Sequence, residues 1–374
     1  MIRIALVSHL DEISGAGVAL VELACGLDRT RFAPVLILPG NGPLAERAAG
    51  RGLEVVVVPN PQVSLAKASA IQRVGLGFRR IFYIFGLMRA FARYKIDLIY
   101  INTTATVFPE IAGRLSRRKM VCHVHETFSP AAPLSARKGS IIRKSCSGML
   151  YASESARKGF PPGPGVPSII VKNYVDVDAL GKRGRVPRGD EDFLVVANGM
   201  FPRKGNDVLL QAAALANRSL HGRKIRLKII GNPQEEHADF SARMQTLAQV
   251  PELAGKVEFT ASASPLVEEM ILADAFVSAS RNEALPISLV EAMAIGVPVI
   301  ATDVSDCARV LGGGQYGWVT PPENAGALAQ ALVELALNPR LAAQRTGAAR
   351  GMVLREYAGV GFWDSLELWL EGLR

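Results

Sequence analysis

The chain has 374 residues, 49% of them apolar, and carries 43 Lys and Arg against 34 Asp and Glu, a net charge of +9. That is enough for roughly two domains with full cores, while no apolar run reaches the ~20 residues of a membrane span. Cys25, Cys122, Cys146 and Cys307 include no C-x-x-C pair, so reduced thiols in a cytosolic protein are expected rather than disulfides or zinc. The charge is lopsided. Residues 1–180 hold 23 Lys and Arg against 12 Asp and Glu, net +11, and residues 181–374 hold 20 against 22, net −2; an anionic partner is expected on the first half.

The chain opens directly on an apolar strand at residues 3–8, without the charged start and cleavage site of a signal peptide. A loop at 9–17, a helix at 18–27 and a strand at 33–38 follow. Gly40-Asn41-Gly42-Pro43 reads as a turn, with a helix and a strand at 53–58 after it. Residues 71–94 read as a helix in which Arg73, Arg79, Arg80, Arg89 and Arg93 are interleaved with aromatic residues, Phe82 among them. Such a stripe suits an anionic membrane surface, with aromatics inserted and arginines on headgroups. Nucleic acid is the competing anion, but no nucleic-acid motif accompanies the stripe and none is expected as a partner.

Strands at 96–101, 120–124 and 149–152 complete a first domain, residues 1–175. Residues 176–192 are polar, glycine-rich and charged and read as the linker. A second domain, 193–353, holds strands at 193–197, 227–230, 257–260, 275–278 and 299–301 with helices between. A last helix, about 354–374, carries Trp363, Leu366, Trp369 and Leu370 at helical spacing and is expected to pack back on the first domain. Strand–helix alternation throughout predicts an α/β fold with parallel sheets. Two Rossmann-like domains facing across a cleft would bind ligand at the carboxyl ends of their strands.

Residues 278–298 carry the most chemistry. They read as a strand end, a loop with Glu283, and a short helix with Pro286 in its first turn and Gly296 at its stop. Within that helix Glu291 is the misfit, because its neighbours one turn away are Ile287, Ser288, Ala294 and Ile295. A carboxylate on such a surface needs donors, and ligand hydroxyls supply them. The N–H groups at the helix start, those of Leu285 and Ile287 on either side of Pro286, attract phosphate. Glu, seven residues, Glu and then Ala-Met-Ala-x-Gly-x-Pro-Val resembles the nucleotide-sugar motif of the family 4 glycosyltransferases, which have the GT-B fold. The resemblance implies that Glu283 lies beside the donor sugar and that Glu291 binds the nucleotide ribose.

Further segments extend the resemblance over nearly the whole chain. Ser14-Gly15-Ala16-Gly17 opens a helix after the first strand, and small residues there let backbone approach a phosphate. Leu20 stands where a dinucleotide fingerprint has its third glycine. Gly15 matches the second glycine of the family's loop, whereas Gly17 replaces its Glu, so a backbone role alone carries over. In His123-Val124-His125-Glu126, alternation places both histidines on one face, but no third metal ligand is near in sequence. The resemblance gives His125 a contact with the donor sugar; a hydrogen-bonded loop histidine is the alternative.

Arg203-Lys204-Gly205 matches the family's Lys-Gly, with Lys204 neutralising the leaving diphosphate. The family's earlier arginine is Gly199 here, so either Arg203 substitutes for it or one phosphate contact is missing. Gly231 matches a glycine beside the nucleotide. Two cations on the diphosphate do the work of a metal, so neither metal nor other cofactor is expected. The expected activity is retaining transfer of a sugar from a nucleotide sugar to a lipid-linked or surface-polysaccharide acceptor, by a cytoplasmic protein peripheral on the inner membrane face. The alternatives are a nucleotide-sugar hydrolase or epimerase of the same fold, and a non-catalytic binding scaffold.

Overall fold

The computed structural model describes residues 1–374 apart from 61–69, 127, 129–133, 172–174, 187–188, 190–191, 234–236, 262–265, 284–286, 358–359 and 374. The chain divides into two compact units, Met1–Tyr174 with Gly359–Arg374, and Val175–Ala358.

The first unit runs β1 (Ile2–Val7), α1 (Gly15–Gly26), β2 (Phe32–Leu38), α2 (Pro43–Gly50), β3 (Glu54–Val57), α3 (Ala70–Arg93), β4 (Leu98–Ile101), α4 (Phe108–Leu115), β5 (Lys119–Val124), α5 (Ala136–Ser145), β6 (Gly148–Tyr151), α6 (Glu154–Gly159) and β7 (Ser168–Ile170). Its strands form one parallel sheet in the order β3-β2-β1-β4-β5-β6-β7. Both faces are covered, one by a core containing Leu6, Leu20, Phe32 and Tyr100, the other by Val7, Phe91, Ile99 and Tyr151. Burial on both sides is why these strands read as unbroken apolar runs instead of alternating ones.

The second unit runs α7 (Val177–Arg183), β8 (Phe193–Asn198), α8 (Asn206–Ser219), β9 (Ile225–Ile230), α9 (Ala238–Ala248), β10 (Val257–Thr260), α10 (Leu266–Ile271), β11 (Ala275–Ser278), α11 (Ile287–Ile295), β12 (Val299–Thr302), α12 (Cys307–Val310), β13 (Trp318–Thr320), α13 (Ala325–Leu337) and α14 (Pro339–Glu356). Its six strands are parallel in the order β10-β9-β8-β11-β12-β13. In each sheet the strand order reverses at one place, between β1 and β4 in the first and between β8 and β11 in the second. Loops leaving the carboxyl ends of such a pair diverge to opposite faces and open a crevice.

Two expectations need correction. Residues 176–192 are not a plain linker: Asp176 accepts the N–H of Ala179 at 2.9 Å and caps α7. Val177 then joins the core of the second unit, and Arg350 donates to Gly181 O at 2.7 Å. The tail likewise is not one helix from 354. α14 ends at Glu356, and α15 (Val360–Gly372) is separate. The apolar spacing reads through because both pieces are amphipathic, but Met352 and Val353 pack in the core of the second unit and Leu366 and Leu370 in that of the first. The edge strands β7 and β13, three residues each, had no sequence signal of their own.

Candidate functional site

The second switch point is built from two loops. After β8 the chain turns at Gly199, whose φ is +89°, makes a 3₁₀ turn over Pro202–Lys204, and enters α8 through Gly205 at φ +64°. Neither glycine has an alternative. A Cβ at 199 would meet Lys204 Cγ at 2.4 Å, and one at 205 would meet Ala279 O at 2.0 Å. Gly231, at the end of β9, lies flat against the same turn, where a Cβ would come within 3.1 Å of Gly199 Cα and Met200 N.

After β11 the chain runs through Ser280 and Arg281 to Glu283. The two loops are stitched together: Arg281 N–H donates to Arg203 O at 2.8 Å, and the Arg203 guanidinium donates to Asn282 O at 3.0 Å. Glu283 is 9% exposed and accepts from Lys204 Nζ at 2.5 Å, Arg203 Nη1 at 2.8 Å and Ser280 Oγ at 3.3 Å. Burial pushes its pKa up, but Lys204 and Arg203 outweigh burial and hold it below the usual carboxylate range. Arg203 is half exposed, over the Phe201 ring at 5.3 Å, whereas Lys204 is nearly buried.

Sequence reasoning missed the scaffold behind this cluster. Arg281 makes paired contacts with buried Asp207 at 2.9 and 3.0 Å, donates to Pro202 O at 2.5 Å and also binds the Glu323 carboxylate. Asn206 donates to Asn198 O and Gly199 O at 3.0 and 2.6 Å. The one clue was position: Arg281 is two residues before Glu283, and Asp207 three after Lys204. Ile287 begins the described part of α11, and Glu291 is half-buried on it. Gly296, at φ +86°, ends that helix. Leu285 and Pro286 lie outside the described residues.

The first switch point gathers a second cluster. Ser14 caps α1 by accepting the N–H of Gly17 at 3.1 Å, so Gly15 occupies the first turn. Asn102, just after β4, donates through Nδ2 to Ala16 O at 2.9 Å, which turns its Oδ1 to His125 Nε2 at 2.8 Å. That orientation places the proton of His125 on Nε2 and leaves Nδ1 an acceptor. Burial brings the pKa of His125 down to about 4, against an opposing pull from Glu126, so the ring is neutral. Glu126 in turn accepts from Thr103 Oγ1 at 3.1 Å and Thr104 N at 3.0 Å. His123 is more deeply buried, 3.9 Å from the His125 ring centre, with Nδ1 on Tyr100 OH at 2.5 Å. Asn102 and Thr103 were not singled out in the sequence; their signal was a polar run ending a buried strand.

Helix α3 exposes Phe78, Ile81, Phe82 and Phe85 together with Arg79, Arg89 and Arg93. Arg80 does not share that face. It is half-buried, with its guanidinium over the Phe108 ring at 5.5 Å. The side chain of Arg73 lies outside the described residues.

The sequence profile described as glycosyl transferases group 1 matches residues 181–352, and that described as a glycosyl transferase 4-like domain matches residues 14–153. The chain belongs to the family 4 glycosyltransferases. Among relatives of this family, the phosphatidyl-myo-inositol mannosyltransferase of Mycobacterium leprae is 29% identical over 66% of this chain and 65% of its own length, just under two thirds of that protein. The putative colanic acid biosynthesis glycosyltransferase WcaL of Salmonella typhimurium is 28% identical over 62% of this chain and 54% of its own. Among solved structures, Anabaena HepE in complex with UDP and glucose superposes with a TM-score of 0.83, covering all of both chains at 18% identity. At that identity the likeness shows the fold, GT-B, whose two Rossmann-like halves are the two units described above.

Proposed function

We propose that the protein is a glycosyltransferase that moves a sugar from a nucleotide-sugar donor to a lipid-linked or surface-polysaccharide acceptor, with retention of anomeric configuration and without a metal. The observation that carries the reading is the Arg203–Glu283–Lys204 cluster at the crevice between β8 and β11. Two fixed cations at a strand-end crevice suit the diphosphate of a donor, whose negative charge grows as the sugar leaves. Glu291 grips the ribose, Glu283 the sugar hydroxyls, and the N–H groups of Gly15, Leu285 and Ile287 the phosphates. His125, neutral and accepting through Nδ1, takes a hydroxyl hydrogen of the sugar.

In this reaction the acceptor oxygen bonds to the anomeric carbon from the side the diphosphate leaves. The anomeric carbon–phosphate oxygen bond breaks, and the acceptor proton passes to the departing phosphate. No covalent sugar–enzyme adduct forms. Support for a lipid-linked acceptor comes from the mannosyltransferase relatives and from the aromatic and basic outer face of α3, which suits an anionic membrane surface, here the inner face of the cytoplasmic membrane.

Transfer from a panel of nucleotide sugars tests this directly. Glu283→Gln is expected to lower kcat by about 10²–10³-fold, as loss of a positioned charged group does. Undiminished turnover in that variant, or loss of wild-type turnover to a chelator, refutes the assigned roles.

A further inference from the structure

At the end of the first sheet remote from Gly15 and His125, the amino ends of β1, β4 and β5 border a cavity of about 200 Å³. Its floor is apolar, made by Ile2, Leu98 and Leu370, and its rim carries Arg117, Arg118, Lys119 and Asp97. Asp97 is already engaged, accepting the N–H of Arg3 at 2.9 Å. No ion pair among the described residues ties up the three cations, and Arg118 Nε is buried with no hydrogen-bond partner. A buried guanidinium N–H without an acceptor is costly, and an anion with several oxygens relieves it.

The backbone points the same way. Arg117 follows α4 at φ +53°, and Lys95 follows α3 at φ +50°. Glycine is the favoured residue at such left-handed helix ends, yet both positions hold a cation. This edge is also where α3 passes into β4, so Arg89, Arg93 and Lys95 approach Asp97 along the chain. Arg89 and Arg93 belong to the exposed face of α3 described above, whereas Arg117, Arg118 and Lys119 serve neither that face nor the clusters around Glu283 and His125.

We propose that this cavity is a phosphate-binding site, filled by the headgroup phosphate of an anionic phospholipid when α3 rests on a bilayer. The lipid source rests on the membrane reading of α3; the phosphate chemistry does not. Three cations in one pocket favour a dianionic phosphate monoester over a monoanionic diester, so phosphatidate is preferred to phosphatidylglycerol.

Flotation of the full chain with phosphatidylcholine vesicles containing either lipid, matched in surface charge, tests the proposal alongside calorimetry with glycerol 3-phosphate. The expected result is at least tenfold tighter binding to phosphatidate vesicles. Arg117→Gln/Arg118→Gln removes this preference while binding to phosphatidylglycerol vesicles persists, and Lys119→Glu, an exposed change, repeats the effect should the double variant fold poorly. Equal binding to both vesicles with no heat from glycerol 3-phosphate overturns the site. Equal binding with heat that the arginine variants abolish keeps the phosphate site and overturns its lipid source. Phe82→Ser/Phe85→Ser separates the two readings, since unchanged vesicle binding there rejects the membrane role of α3, while calorimetry still reports on the pocket.

Discussion

Glu110 lies in the first turn of α4 with its carboxyl fully buried, and neither oxygen has a hydrogen-bond partner among the described residues. Burial pushes its pKa up to about 8, and nearby Glu126 adds to the shift. From its ordinary value near 4.5 up to about 8, the folded protein holds a proton that the unfolded chain releases. Stability therefore falls with rising pH across that window, by up to about 1.4 kcal/mol per pH unit. Glu110→Gln removes the titration, so the variant gains on wild type from pH 5 to pH 8 in denaturant melts; a difference that does not vary with pH rejects a protonated Glu110. His125 acts from the other side. Its pKa is depressed to about 4, so its contribution is lost as pH falls from about 6.5. Nothing in the sequence marks Glu110, because its burial comes from residues distant along the chain. Glu283 was legible as a candidate because the spacing Glu, seven residues, Glu and the tail after it form a local motif that resembles the family's.

At the scale of elements, the donor loops depend on turns that side chains would break. Gly205→Ala places a Cβ on Ala279 O and forces φ +64° on a branched backbone centre. A loss of about 2–4 kcal/mol is expected, with kcat falling more than KM rises because Lys204 is displaced. Thermal melts and steady-state kinetics check this, and a variant with wild-type melting and turnover contradicts the stitched-loop account. The helix α15 is held similarly by shape. Trp363 fills the space above Gly26, Trp369 that above Gly148, and buried Glu367 takes the Asp28 N–H at 2.6 Å and Arg31 at 2.7 Å. Periodicity alone found this helix but misplaced its start, since it continues the phase of α14 closely enough to hide the break. It found α3 within a residue, but not that Arg80 turns inward onto Phe108.

At the scale of the whole molecule, charge is divided as unevenly as chemistry. The excess cations belong to residues 1–180, net +11, and α3 contributes five arginines and no carboxylate. Binding to anionic vesicles is expected to weaken by an order of magnitude or more between about 0.05 and 0.3 M salt, because screening shortens the reach of those charges. Cosedimentation at graded salt measures it, and salt-independent binding removes the electrostatic part of the membrane reading.

The sequence by itself determined the parallel α/β class and the two-domain division and marked Glu283, Glu291, Lys204 and His125 as candidate site residues, because strand hydrophobicity, turn residues and short motifs are local properties. Tertiary structure decided the rest. Strand order put the loops after β8 and β11 side by side, and Arg281 and Asn102 became supports for Glu283 and His125. Those outcomes depend on which distant backbones approach within a few ångströms, and no local pattern encodes such distances.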